Sequence, residues 1–111
     1  MKIELEFDEE MTKAVAEGWK CCTFRMDRKG SIGDTFEVAG QTYRILQISE
    51  ERLARVIYDF YAAEGFKSAK QMREWVQKHY GNRYDLMMDG YVHYFARVSD
   101  GADMDMEGKY V

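Results

Sequence analysis

The chain alternates between hydrophobic and polar positions in several short stretches. Alternation of this kind, with a period of two residues, is typical of half-buried strands. Strands are therefore predicted at five places: Ile3 to Phe7, Lys20 to Arg25, Thr35 to Val38, Thr42 to Ile48 and Tyr91 to Val98. The tight connection Ala39-Gly40-Gln41 makes the third and fourth of these a hairpin.

Between the alternating stretches, apolar residues recur at helical spacing. Capping and stop signals predict three helices: one after Asp8 that stops at Gly18, one from Glu50 to Ala62 after a cap at Ser49, and one from Ser68 to Gly81. Ser68 and Gln71 form the pair of a capping box. The element order shows no βαβ repetition, so it predicts an α+β fold with a curled sheet or small barrel decorated by helices.

The size and composition of the chain fit one cytoplasmic domain. It has 111 residues, 46% of them hydrophobic, and a mean hydropathy of −0.56. Neither an apolar run of the roughly 20 residues that span a bilayer nor a secretion signal is recognised. The adjacent Cys21 and Cys22 are expected to be free thiols. The His and Cys residues do not recur at the spacing typical of metal ligands, so neither a metal nor a cofactor is expected.

The negative charge is concentrated at the end of the chain. The net charge is −4, and residues 99–111 hold four acidic side chains against Lys109. We therefore expect a domain over residues 1–98, nearly neutral overall, followed by a loose acidic tail over 99–111. The net negative charge argues against broad binding to duplex DNA. The nearly neutral charge of the domain is compatible with a local basic pocket.

One polar cluster near the start of the chain contains side chains that could take part in catalysis. In the stretch Gly18-x-Lys20-x-x-Thr23-x-Arg25, an amine, a hydroxyl and a guanidinium could form a base, a nucleophile and an anion clamp. Regular pleating would put Lys20 and Thr23 on opposite faces, whereas a bulge would bring both to one rim. The competing interpretation is a strand with a solvated polar face.

This cluster and three later features resemble the ASCH domain, a branch of the PUA-like superfamily. The later features are Gly33-Asp34 before a hydrophobic strand, the break Glu64-Gly65-Phe66 between two helices, and the closing strand from Tyr91. The resemblance covers about residues 10–98. It implies a PUA-like β-barrel, expected to have about five to six strands, with helices packed on one side and a cleft between barrel and helices.

The same resemblance implies a function. ASCH domains are associated with RNA, and small bacterial members hydrolyse the acetyl amide of N4-acetylcytidine with a lysine, a threonine and a glutamate. The matching residues are Lys20, Thr23 and Glu64. Thr23 would be the nucleophile and Glu64 a proton shuttle, while Lys20 would be either the base or the oxyanion stabiliser. Substrate-binding candidates are Trp19, Arg25, Arg28, Phe66 and Tyr94, although aromatic residues such as these three are more often core in a small barrel.

Three functions stay open on the sequence. The first is an amidohydrolase for an acylated nucleoside, the second a non-catalytic RNA-binding module, and the third a ribonuclease. The expected partner is a small nucleoside or single-stranded RNA, with no membrane and no duplex DNA. The oligomeric state is left open.

Overall fold

A computed structural model describes residues 1–98 of the chain. Its elements are α1 (Glu9–Ala16), β1 (Cys22–Arg25), β2 (Thr35–Val38), β3 (Gln41–Arg52), α2 (Leu53–Phe60), α3 (Ala69–Tyr80), a 3-10 turn (Gly81–Arg83) and β4 (Asp89–Arg97). The strands form one antiparallel sheet in the order β1-β4-β3-β2. The sheet curls into a half-barrel accompanied by the three helices, which confirms the predicted α+β class.

Local signals in the sequence determine most helix ends. Asp8 Oδ1 accepts a hydrogen bond of 2.7 Å from the Met11 amide and begins α1. Ser68 Oγ accepts one of 3.0 Å from the Gln71 amide and begins α3. Gly18 and Gly81 follow the two helices with φ of +86° and +56°, a backbone conformation that favours glycine. These four predictions are confirmed.

The boundary between β3 and α2 differs from the prediction. Ser49 does not cap a helix, because β3 continues to Arg52 and α2 begins at Leu53. The cause is the pairing of β3 with β4, which runs on to Arg52 opposite Asp89. A ladder of backbone hydrogen bonds outweighs one local capping signal.

The N-terminal segment is extended but does not join the sheet. Leu5 is buried between exposed Glu4 and Glu6, as the alternation predicted. Its pairing is nevertheless limited to an isolated bridge between Lys2 and Thr35. Within residues 1–98 the sheet therefore has four strands, fewer than the five to six expected.

Two apolar clusters hold the fold together. One joins the N-terminal segment and α1 to β2, β3 and β4, and it contains Leu5, Val15, Phe36, Val38, Tyr43, Ile45 and Phe95. The other joins the sheet to the helices and contains Met11, Cys22, Phe24, Leu53, Val56, Ile57, Phe66, Met72, Val76 and Val92. Four members of the second cluster, Met11, Phe24, Phe66 and Met72, also line the cavity described below, so the hydrophobic core supports its walls.

Two further expectations concern membrane-spanning helices and the C-terminal tail. None of the helices within residues 1–98 combines the length and apolar character needed to cross a membrane. The expected loose acidic tail, residues 99–111, lies outside the described part of the chain.

Candidate active site

The backbone between Lys20 and Thr23 is bulged. The amides of Cys21 and Cys22 both donate to the Ala63 carbonyl, at 2.8 and 3.3 Å, so two residues oppose one. Regular strand pairing with β4 begins only at Cys22. As a result Lys20 and Thr23 line the same cavity, although they are an odd number of positions apart. Cys21 is exposed and Cys22 is buried, both as free thiols, and burial raises the pKa of the Cys22 thiol far above its ordinary value.

A glycine turn after α2 brings Glu64 against this bulge. Glu64 forms an isolated antiparallel bridge with Lys20, and Gly65 follows with φ of +96°. A Cβ on Gly65 would lie 3.1 Å from Lys20 Cβ and 3.3 Å from Ala14 Cβ. The close approach of the two segments therefore requires glycine at this position.

Gly65→Ala should test this close approach. We expect it to lower the free energy of unfolding by more than the roughly 1 kcal/mol cost of the left-handed backbone, because its new methyl group presses on Lys20. Gly33→Ala is the matched control, since Gly33 has φ of +94° and, apart from its chain neighbours, no atom of residues 1–98 lies within 4 Å of the added Cβ. Urea denaturation measures both variants. Equal losses in the two would contradict the argument.

Lys20 and Glu64 form a buried ion pair. Lys20 Nζ lies 2.6 Å from Glu64 Oε1 and also donates to the Glu64 carbonyl at 3.0 Å. Both side chains are 4% exposed. Glu64 Oε2 is buried and has no hydrogen-bond partner among residues 1–98. A buried carboxylate oxygen without a donor is costly unless a ligand or water supplies one.

Thr23 and Arg25 share one face of β1. Arg25 Nε donates to Thr23 Oγ1 at 3.3 Å, and Arg25 Nη2 donates to the Glu6 carbonyl at 2.7 Å. The guanidinium also lies over the Phe7 ring, 4.9 Å from its centre. Burial lowers the pKa of Arg25, but a guanidinium remains charged at neutral pH. A fixed positive charge thus contacts the Thr23 hydroxyl.

His93 holds the backbone of Thr23 from the neighbouring strand. The two residues are paired across β1 and β4, and His93 Nδ1 lies 3.3 Å from the Thr23 carbonyl. His93 Nε2 accepts a hydrogen bond of 2.8 Å from the Lys29 amide. Because Nε2 is the acceptor, Nδ1 carries the proton and donates to Thr23. Burial lowers the pKa of His93, so the imidazole is neutral in this arrangement.

This buried histidine should make stability depend on pH. Its pKa is lowered from 6.5 on folding, so the unfolded chain binds more protons just below pH 6.5. The contribution of His93 is fully present above that pH and is lost as the pH falls toward the lower folded pKa. We expect the free energy of unfolding to decrease from about pH 7.5 to about pH 5, and to decrease less in His93→Gln. Urea denaturation at both pH values measures this, and equal decreases would contradict it.

The groups around Lys20 and Thr23 enclose a cavity of about 100 Å³. Its polar lining comes from β1, from Glu64 and from the N-terminal segment, and its apolar lining comes from the second core cluster and α3. The lining residues are Glu6, Phe7, Asp8, Met11, Lys20, Thr23, Phe24, Arg25, Glu64, Phe66, Met72, Trp75, His79 and Tyr80. Within residues 1–98, no group of three or more His, Cys, Asp or Glu side chains is arranged to hold a metal ion.

Five of the eight residues singled out from the sequence line this cavity, and three do not. Lys20, Thr23, Arg25, Glu64 and Phe66 are brought together. Trp19 is 69% exposed and borders a separate surface groove. Arg28 Nε donates to the Gly30 carbonyl at 3.4 Å, on the surface. Tyr94 hydrogen-bonds Ser49 and packs on Phe60.

The sequence interpretation did not assign the residues of α3 to the cavity. Trp75, His79 and Tyr80 all line it. In the sequence, Trp75 and Tyr80 fall on the apolar stripe of this helix, and His79 lies near its C-terminal end, where a cation suits the helix dipole. His79 and Tyr80 follow Trp75 by four and five residues, which puts the three side chains near one another on the last turns of α3. This spacing is the sequence signal that groups them.

Comparison with known proteins finds similarity in the fold. No family model matches the sequence, and no curated protein is significantly similar to it. Among solved structures, the hypothetical protein PH0355 superposes with a TM-score of 0.67 at 17% identity, over 88% of this chain and all of that one. An ASCH domain from Lactobacillus crispatus superposes with a TM-score of 0.64 at 15% identity, over 86% of this chain and 77% of that one. Residues 1–98 therefore have the fold of an ASCH domain.

Proposed function

We propose that the protein is an amidohydrolase that acts on an acylated nucleoside such as N4-acetylcytidine. The observation that carries this proposal is the cavity shared by the Thr23 hydroxyl, the Lys20–Glu64 ion pair and the Glu64 Oε2 atom, which lacks a hydrogen-bond partner within the described part of the chain. Thr23 supplies a nucleophile, and the Lys20–Glu64 pair supplies groups that take up and return protons. Glu64 Oε2 can accept a hydrogen bond from the substrate amide or from water.

The reaction begins with attack of Thr23 Oγ1 on the acetyl carbonyl. A proton moves within the pair from Lys20 Nζ to Glu64 Oε1, which leaves Lys20 as a neutral amine. The hydroxyl proton of Thr23 then passes to this amine as its base, a new C–O bond forms, and the carbonyl π electrons move to the oxygen. When the tetrahedral intermediate collapses, the bond from carbon to N4 breaks and Glu64 protonates the departing amine. Glu64, now a carboxylate, takes a proton from a water molecule as that water attacks the Thr23 ester. The ester C–O bond breaks, and Lys20 returns its proton to Thr23 Oγ1. The products are acetate and cytidine, and Thr23 is regenerated.

Arg25 assists this chemistry as a fixed cation, and Lys20 is a cation only in the alternative assignment. The hydrogen bond from Arg25 to Thr23 Oγ1 stabilises negative charge as it develops on the nucleophile. Lys20 donates to two oxygens of Glu64, and an ammonium group has a third proton available. In the alternative assignment, that proton stabilises the oxyanion and Glu64 acts as the base.

The size of the cavity favours a small substrate group. Its volume of about 100 Å³ is below the roughly 300 Å³ at which pockets for whole drug-sized ligands begin. The acyl amide and part of the base would enter, and the sugar would remain outside. A ribonuclease that uses a pair of histidines lacks comparable support. Of the two histidines only His79 lines the cavity, since both ring nitrogens of His93 are engaged by backbone groups.

The test compares two substrates under one set of conditions. The protein is incubated with N4-acetylcytidine, and released cytidine is measured by chromatography. In parallel, a single-stranded RNA is titrated at about 50 and about 200 mM salt. Release of cytidine supports the proposal. RNA affinity that falls with salt, without release of cytidine, would overturn it in favour of the non-catalytic module.

A further inference from the structure

The last turns of α3 present a cluster of aromatic rings to the cavity. Trp75 and His79 are stacked, with ring centres 4.6 Å apart and planes 12° apart. Phe66 lies 5.8 Å from Trp75, and Tyr80 meets His79 edge-on at 5.3 Å. All four rings line the cavity that holds Lys20, Thr23 and Glu64. The proposed reaction uses none of them.

The stacked pair is not explained by core packing alone. Trp75 is half-buried and His79 is exposed, so neither belongs to the fully buried residues of α3, which are Met72 and Val76. An imidazole that lies parallel to an indole forms a flat, partly solvated ring surface. Flat ring surfaces bind nucleobases by stacking, which accepts any planar base.

We propose that Trp75 and His79 bind the planar ring that carries the acyl amide, and that they make the enzyme selective for amides of aromatic amines. The inference rests on the proposed function, because it assigns the substrate class of that same site. The acyl carbonyl would lie at the polar end of the cavity, near Thr23, while the base would stack on the α3 rings. An aliphatic amide offers no ring surface and would lose this binding energy.

Kinetic constants of α3 variants test the proposal. Trp75→Leu and His79→Ala should each raise KM for N4-acetylcytidine, by about 10-fold for Trp75, while kcat changes little. Trp75→Phe keeps a ring and should recover much of the lost affinity. Lys78→Ala is the control on the same helical turn, because Lys78 is exposed and outside the cavity lining. Unchanged KM in both His79→Ala and Trp75→Leu would overturn the proposal.

Fluorescence gives a second measurement that does not need turnover. The chain has two tryptophans, so Trp19→Phe leaves Trp75 as the one indole. Titration with N4-acetylcytidine and with cytidine should quench the emission saturably in both the wild type and Trp19→Phe, whereas ribose should not. Quenching that disappears in Trp19→Phe would put the base on Trp19 and overturn the proposal, as would its absence from both proteins.

The two measurements separate this inference from the proposed function. Saturable quenching of Trp75 without release of cytidine would support base stacking and contradict amide hydrolysis. Release of cytidine with KM unchanged in the α3 variants would support hydrolysis and contradict base stacking. His79→Ala changes an exposed side chain, so it keeps the test valid if Trp75→Leu fails to fold.

Discussion

Thr23→Val is expected to reduce the turnover of N4-acetylcytidine by about 10³-fold or more, the scale of loss when a covalent nucleophile is removed. Valine has nearly the shape of threonine, so the buried site keeps its packing while it loses the hydroxyl. The lost atom is the one that Arg25 Nε contacts and that the proposed mechanism joins to the acyl carbon. Steady-state release of cytidine measures the effect.

Thr23→Ser is the matched control for this variant. It retains a hydroxyl and should keep much of the activity, with some loss because serine lacks the methyl group that fixes the rotamer of threonine. Substrate binding should survive in Thr23→Val, since the α3 rings are unchanged. Full turnover by Thr23→Val would exclude the covalent route and leave direct attack by water activated at Glu64.

The second large effect concerns stability. Lys20→Met should lower the free energy of unfolding by about 3–5 kcal/mol, because it leaves Glu64 as an unpaired buried carboxylate. The double variant Lys20→Met/Glu64→Leu should recover a substantial part of this loss, since two apolar groups replace two charges. Urea denaturation at neutral pH measures both, and a double-mutant cycle gives the coupling energy.

An exposed ion pair provides the comparison. Lys13 Nζ and Glu17 Oε1 lie 4.0 Å apart, with side chains 77% and 49% exposed. Lys13→Met should change stability by less than about 0.5 kcal/mol. If the losses from Lys20→Met and Glu64→Leu were simply additive, the buried pair would not be coupled, and the role assigned to it as one proton-transferring unit would fail.

The features that the sequence predicted well are those determined within a few residues. Asp8 and Ser68 cap helices through amides three residues away, and Gly18 and Gly81 end them through their own φ angles. Such signals need no knowledge of the tertiary fold. Ser49 gave an equally good local signal but was overridden, because β4, about forty residues later, extends the pairing of β3.

The candidate site was predictable where a resemblance supplied the residue types, and less so where it depended on packing. Nothing local to Glu64 predicts that its carboxylate reaches Lys20, since the two residues are 44 positions apart and meet only when the segment after α2 packs against the one before β1. The spacing of Trp75 and His79 shows that the rings are neighbours on a helix. It does not show that the helix turns them toward β1, because long-range packing decides which face of α3 is covered.

The bulge at Cys21 and Cys22 changes what the spacing Lys-x-x-Thr means. In a regular strand, two side chains on one face are separated by an even number of positions, so an odd separation records one extra residue in the backbone. A related protein without the bulge could hold the same amine and hydroxyl together with the spacing Lys-x-Thr. Sequence searches for this pair should therefore allow a one-residue gap at Cys21, since a fixed spacing selects for the backbone irregularity as well as for the two functional groups.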